Sequence, residues 1–294
     1  MLARSFDDYS PPPPRTSPDT AADHTGTSAV HGDVFPHHAD GIPPGTLLSG
    51  AYELRFAWTR AELHAVQALR FRVFAEERGQ QLSSSSTMRD DDARDPWFHH
   101  LMIVERSSGA VVGTYRVQSA VMAATRFGFY SATLFEIGAI PAAVLGEAVE
   151  AGRSCVDPQH RSGTVLRLLW RGIARYLKWN SKRYLFGCCS LSGVDQQQAI
   201  DSWCALHARQ LLHDRVLVRP RVEGRVLADD GRNRPLSTAE ALTYRLPPLF
   251  EGYLSLGARV CGAPAFDHEF GSTDYLVLLD TLAMDPRVHR SLFK

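Results

Sequence analysis

The stretch AVEAGRSCVDPQHRSG, Ala148 to Gly163, decides how this chain is read. It begins as a β-rich run, carries Glu150 and Arg153 three residues apart, and passes through a polar turn into a segment of helical spacing. Alternation along a strand puts residues three apart on opposite faces, so Glu150 and Arg153 are not expected to pair unless a bulge intervenes. Beyond the turn, Leu166, Leu169, Trp170, Ile173 and Leu177 recur at three-and-four spacing, which predicts a helix over about Thr164 to Ser181 with that face buried. The turn QHRSG sets backbone N–H groups and the positive end of the helix dipole where one phosphate fits. The dinucleotide pattern GxGxxG is absent.

The same helix is cationic. From Gln159 to Arg183 there are seven Lys or Arg and no Asp or Glu, and Arg167, Arg171, Arg175, Lys178 and Lys182 recur almost every fourth residue. Like charges so spaced repel by a few tenths of a kcal/mol per pair, so the ridge adds no stability of its own. Two readings stay open: a solvated face, or a docking surface for an anionic macromolecule. Few aromatics interleave with the cations and no nucleic-acid-binding motif occurs, which favours an acidic carrier protein over nucleic acid.

Outward from this element, Leu145 to Val156 reads as a strand, preceded by a hairpin of LMIVE (Leu101 to Glu105) and AVVGTYRVQ (Ala110 to Gln118). Thr59-x-x-Glu62 has capping-box spacing ahead of Leu63, Val66, Leu69, Val73 and Phe74, predicting a helix from Arg60 to Arg78 stopped at Gly79. Downstream, a strand over Tyr184 to Leu191, a helix over Asp195 to Leu212, a loop over Pro220 to Leu242, a short helix after Pro247-Pro248 and a strand over Thr273 to Asp280 follow. Strands and helices in this order define an α/β layered domain over 49–294. Residues 1–48, with Pro11 to Pro14 and scattered Ser, Thr, Asp and His, read as a disordered leader.

Composition narrows the function classes. Formal net charge is zero, and no apolar run reaches the ~20 residues of a membrane-spanning helix, so a soluble or peripheral protein is expected. The five cysteines show no CxxC spacing and the twelve histidines no HExxH pattern; a reducing cytoplasm is expected, and no metal site.

The segments RFRVF (Arg70 to Phe74), Asp92 to Asp95 with HLMIV (His100 to Val104), VVGTYR (Val111 to Arg116), GRSCV (Gly152 to Val156), LFGCCS (Leu185 to Ser190) and PPLFEGYLSLGA (Pro247 to Ala258), in this order, resemble the acyl-carrier-protein-dependent branch of the GNAT acyltransferase superfamily. The resemblance is to bacterial N-acyltransferases that form lyso-ornithine lipid and, more distantly, to acyl-homoserine-lactone synthases. It covers about residues 52 to 285. In the donor turn the superfamily pattern Arg/Gln-x-x-Gly-x-Gly/Ala reads His160-Arg161-Ser162-Gly163-Thr164-Val165, keeping only the middle glycine; Arg94 and His99 replace an aromatic residue and an acid.

The resemblance implies a GNAT-like acyl-CoA N-acyltransferase fold: a central, mixed, mostly antiparallel twisted sheet with helices on both faces. It implies an N-acyltransferase moving a (3-hydroxy)fatty acyl group from acyl carrier protein to the α-amine of ornithine, cytoplasmic or peripheral to the inner membrane. The donor is the carrier's phosphopantetheine thioester, with no bound cofactor. Another acceptor such as glycine, a homoserine-lactone synthase, or a non-catalytic carrier-binding module are the alternatives. Glu150 is the expected base, beside Arg153, with the oxyanion held by the backbone N–H of Cys155 or Val156. No His or Asp is spaced to make Cys155 a triad nucleophile. Arg70, Arg116 or Arg153 are expected at the acceptor's carboxylate or at the phosphopantetheine arm, Asp92 and Asp95 at the acceptor's side-chain ammonium, and His100 beside them as loop anchor or second base, with a surface or interdomain ion-pair network as the alternative for all of them. Phe74, Arg161, Gly163, Arg167 and Arg171 are assigned to the donor side.

Overall fold

Packing begins earlier than residue 49. In the computed structural model, which describes residues 35–80, 85–224, 226 and 234–294, Ile42 is buried in the main core. The carbonyl of His37 accepts from Nε2 of the buried His99 at 2.9 Å. Residues 35–48 therefore belong to the domain, a correction to the expected boundary; they are held by contacts that composition does not reveal. The remainder of the expected leader, 1–34, lies outside the described residues, as do parts of the loops near Ser83 and after Pro220.

Two strands, β1 (Leu47–Ser49) and β2 (Tyr52–Phe56), precede helix α1 (Arg60–Phe71). The anticipated capping box closes on both sides: Thr59 accepts from the Glu62 N–H, and Glu62 accepts from the Thr59 N–H. The helix then runs into a π-helical segment, Arg72–Glu77, and ends where the Gly79 N–H bonds the Ala75 carbonyl with φ at +70°. The hairpin β3 (His99–Glu105) and β4 (Val111–Ser119) follows, then α2 (Ala120–Thr125), α3 (Ala142–Gly146), β5 (Ala148–Val156), α4 (Thr164–Trp179) and β6 (Tyr184–Ser192). The last third holds α5 (Gln196–Ala208), α6 (Thr238–Thr243), α7 (Pro248–Ser255), β7 (Arg259–Val260), β8 (Ala265–Asp267), β9 (Ser272–Asp280) and α8 (Pro286–Phe293).

The strands form one sheet in the order β1-β2-β3-β4-β5-β6-β9-β7, with β8 paired to β9. Every pairing is antiparallel except β5 with β6. Alternation along β3 assigns the two faces: Leu101 and Ile103 pack in the core with Leu169 and Ile173 of α4, whereas Met102 and Val104 pack with Val66 and Leu69 of α1. Helices on both faces of a mixed, mostly antiparallel sheet are as expected.

The parallel join is short. Only Ala148 to Glu150 pair with Tyr184 to Phe186, and beyond them β5 and β6 part. At the last point of contact a Cβ on Gly187 would lie 2.2 Å from the Ala151 carbonyl oxygen, so only glycine lets the two backbones meet there. On its other edge β5 carries a bulge. Gly152 faces Arg116 and Cys155 faces Thr114, leaving Arg153 and Ser154 opposite Tyr115 alone, with Arg153 at φ +48°.

Candidate active site

Where β5 and β6 diverge, a cavity of about 420 Å³ opens between them. Its walls take Glu150 and Arg153 from β5, Cys188 and Ser190 from β6, and Asp274 from β9. The bulge explains how Glu150 and Arg153 share it: the inserted residue breaks strict alternation, so both side chains reach one space without bonding each other.

Glu150 is 2% exposed. Its carboxylate accepts from the Ser131 N–H (2.6 Å), the Ser131 hydroxyl (2.6 Å) and the Tyr130 N–H (2.8 Å). Burial pushes its pKa up against the pull of these donors. Tyr130 and Ser131 lie in a short 3-10 turn, Tyr130–Thr133, with no motif in the sequence to mark them.

The backbone of β5 separates the two oxyanion candidates. Asp157 N–H bonds the Val112 carbonyl, so the Thr114 and Cys155 pair, two residues back, is also a hydrogen-bonding pair and the Cys155 N–H turns toward β4. Val156 faces the other way: its carbonyl accepts from Arg161 Nε at 3.0 Å, on the side where β6 has left. The N–H of Val156 is therefore the one aimed at the cleft. The Cys155 side chain packs in the α1 core, where burial raises its pKa to about 12, an inert thiol.

Most of the expected acceptor residues form an ion network, the alternative open to them, and it is buried. Asp95, fully buried, receives both Nη atoms of Arg70 (2.6 and 3.1 Å), Nη1 of Arg116 (2.9 Å) and the Gln67 amide (2.9 Å). Arg70 is likewise fully buried and also pairs with Asp90 at 2.7 Å. Asp92 pairs with Arg116, and Arg153 reaches Asp90 at 3.3 Å and Asp92 at 3.7 Å. Arg70 and Asp95 thus sit behind the cavity wall, while Arg116 and Arg153 line it. His100 is the loop anchor, its Nε2–H donating to the Asp95 carbonyl at 2.9 Å. Burial first, and then the nearby guanidiniums against the pull of Asp95, drops its pKa to about 4, and it does not face the cavity. Arg94 bonds the Phe127 carbonyl and His99 bonds Tyr176, so these two departures from the family pattern also lie away from the cavity.

On the donor side, Phe74, Arg161 and Gly163 line the cavity with Leu166 of α4. Arg161 is tied by both Nη atoms to Glu77 at 2.6 Å. Gly163 enters α4 at φ +83° with no side-chain cap, leaving the first N–H groups of the helix free of side chains at the cavity mouth. The cationic ridge is thinner than its sequence: Arg175 bonds the Pro44 and Gly45 carbonyls, and Lys182 the Gly146 carbonyl. Arg167 and Lys178 are exposed and Arg171 half-buried. An apolar arm of the cavity runs past Leu191, Leu249 and Phe250, with Tyr115 and Tyr253 hydroxyls joined at 2.7 Å.

The chain is an N-acyltransferase of the GNAT class: a model described as an acetyltransferase (GNAT) domain matches residues 69–171, which include the strand β5 that carries Glu150. The L-ornithine N(alpha)-acyltransferase of Agrobacterium fabrum is 34% identical over 245 residues, covering 78% of this chain and 81% of that protein. That of Brucella abortus is 32% identical over 261 residues, covering 84% and 89%. The chain belongs to the L-ornithine N(alpha)-acyltransferase family. Among solved structures, FeeM, an N-acyl amino acid synthase from uncultured soil microbes, aligns over 82% of this chain and 94% of its own with a TM-score of 0.47 and 12% identity. The acyl-homoserine-lactone synthase LasI aligns over 82% and 94% with a TM-score of 0.43 and 13% identity.

Proposed function

We propose that this chain transfers a fatty acyl group from a thioester carried by acyl carrier protein to the α-amine of ornithine, giving lyso-ornithine lipid. The observation that carries the reading is the position of Glu150 and the Val156 N–H along the one strand, β5, that walls the cleft, within a chain of this family. The donor's phosphopantetheine arm enters between β5 and β6, takes the place of the missing ladder partner, and lays its acyl chain along the apolar arm.

The acceptor amine attacks the thioester carbon, and its proton passes to Glu150. The oxyanion of the tetrahedral intermediate lies on the Val156 N–H. The intermediate collapses with cleavage of the C–S bond, and the leaving thiolate takes up the proton that Glu150 accepted, which restores the carboxylate. Arg153, whose weaker contacts to Asp90 and Asp92 leave it capacity at the cavity surface, holds the acceptor's carboxylate. Arg116 backs it from the network, stacked 4.4 Å over Phe98.

Mass spectrometry of products from purified protein, 3-hydroxyacyl carrier protein and mixed free amino acids, with the matching acyl-CoA in parallel, tests the whole reading. Carrier-dependent N-acylornithine is expected. Another acylated amino acid would replace the acceptor, and product from the CoA donor alone, or none, would remove the carrier.

Carrier docking is assigned to the open part of the α4 ridge. Arg167→Glu with Arg171→Glu is expected to raise KM for acyl carrier protein about tenfold at low salt, the gap closing as ionic strength rises. Steady-state kinetics across a salt series measures it, and unchanged KM at low salt would move docking elsewhere. No helix among the described residues is long and apolar enough to cross a membrane. Work at the inner membrane from the cytoplasmic side is accordingly proposed as peripheral.

A further inference from the structure

The acidic loop expected to receive the acceptor's side-chain ammonium is occupied by arginines: Asp95 by Arg70 and Arg116, Asp92 by Arg116. Another carboxylate stands in the cavity wall. Asp274 of β9 lies directly across from Ser190 of β6, is 2% exposed and faces the cavity. Its oxygens accept from the Ser190 and Ser272 hydroxyls, the latter at 3.1 Å, and no ion pair reaches it among the described residues. A carboxylate withdrawn from water and held by hydroxyls alone is poorly compensated. Burial, and then the Asp267 carboxylate nearby, push its pKa up to about 6 against the pull of the two hydroxyls and of the Arg153 guanidinium.

Its neighbour Asp267 differs. That carboxylate accepts from the Tyr130 hydroxyl and from the Phe270 N–H at 2.8 Å, so it is committed to the turn that carries Phe270. Asp274 accepts from two hydroxyls and, among the described residues, from no backbone N–H. It also has a defined relation to the reacting end of the cavity: Glu150 pairs with Phe186 and Asp274 with Ser190, four residues further along the same strand, with Cys188 on the cavity wall between them. The two carboxylates thus sit at two levels of one cleft, as a diamino acid carries its two nitrogens at two ends of one chain.

We propose that Asp274 receives the side-chain ammonium of the acceptor and so selects a diamino acid over its uncharged analogues. The proposal rests on the ornithine reading above. The seated ammonium supplies the direct ion-pair partner that the carboxylate lacks among the described residues, and Ser190 and Ser272 fix the carboxylate's orientation without competing for charge. β6 fixes the spacing between the two levels, so acceptor length is read between Glu150 and Asp274.

The test compares initial rates with one acyl donor and two acceptors, L-ornithine and L-2-aminopentanoate, which is the same chain without the terminal amine. Wild type is expected to favour ornithine, and Asp274→Asn to cut the ratio of the two kcat/KM values by ~10-fold to ~100-fold, mainly through KM for ornithine. An equal loss for both acceptors, or an unchanged ratio, would overturn the assignment. Should the asparagine variant not fold, Ser190→Ala with Ser272→Ala frees the carboxylate and is expected to lower the same ratio by a smaller factor; an unchanged ratio there also overturns it. Wild type that makes no N-acylornithine removes the ornithine reading and this one with it. Ornithine turnover by wild type with a ratio indifferent to Asp274 removes this one alone.

Discussion

Replacing Glu150 by glutamine is expected to lower turnover by ~10²-fold to ~10⁴-fold, the usual contribution of a positioned base, while the protein stays folded. The side chains are isosteric, and the amide oxygen can still accept from the Ser131 N–H and hydroxyl that hold the carboxylate. What disappears is the proposed proton acceptor, together with the bond from the Tyr130 N–H to the second carboxylate oxygen. Thiol release from the acyl carrier thioester in the presence of ornithine reads the rate, and far-UV circular dichroism with a thermal melt reads the fold. A loss below about threefold would assign the proton to another group. The variant also separates an enzyme from a carrier-binding module, since only an enzyme would lose its product.

Asp95→Asn is expected to have the largest effect on stability. Removing one partner from a buried ion network leaves the others uncompensated, at a cost of about 3–5 kcal/mol. Here two buried guanidiniums, Arg70 and Arg116, would lose their shared anion. Urea denaturation should show a lower midpoint with an unchanged slope. Acid sensitivity should change with it. Burial raises the Asp95 carboxyl but Arg70, His100 and Arg116 outweigh it and hold it well below the usual carboxylate range. A depressed folded-state pKa contributes stability that is present above the unfolded value of about 3.9 and is lost as pH falls below it. Wild type should therefore lose stability more steeply on acidification below pH ~4 than the asparagine variant. Equal acid slopes and equal midpoints would show that the network carries no net stability.

Local signals in the chain sufficed where neighbours in sequence are neighbours in space. The capping box at Thr59, the hairpin turn before Ala110 and the Gly163 entry to α4 all form as read. Leu54 and Phe56 face inward at period two in β2, a short strand that the run YELRF permits but does not announce. The site was harder. A period-two rule puts Glu150 and Arg153 on opposite faces, and only the bulge opposite Tyr115 brings both to one cavity. Asp274 joins them because β9 returns beside β6, pairing residues 84 positions apart. No local pattern encodes such a pairing. Arg70 and Asp95 were legible as functional types, yet their burial follows from how α1 packs on the sheet, a property of the assembled layers.

The contact of Gly187 with the Ala151 carbonyl gives the cleft a floor made of main chain on main chain. Such a floor does not move when side chains are exchanged. Divergence among relatives can reshape the walls, altering which amine enters and how long a chain is held, without shifting the depth at which thioester and nucleophile meet. Exchanging wall side chains can thereby change the choice of substrate while the backbone crossing, which tolerates no residue larger than glycine, stays as it is.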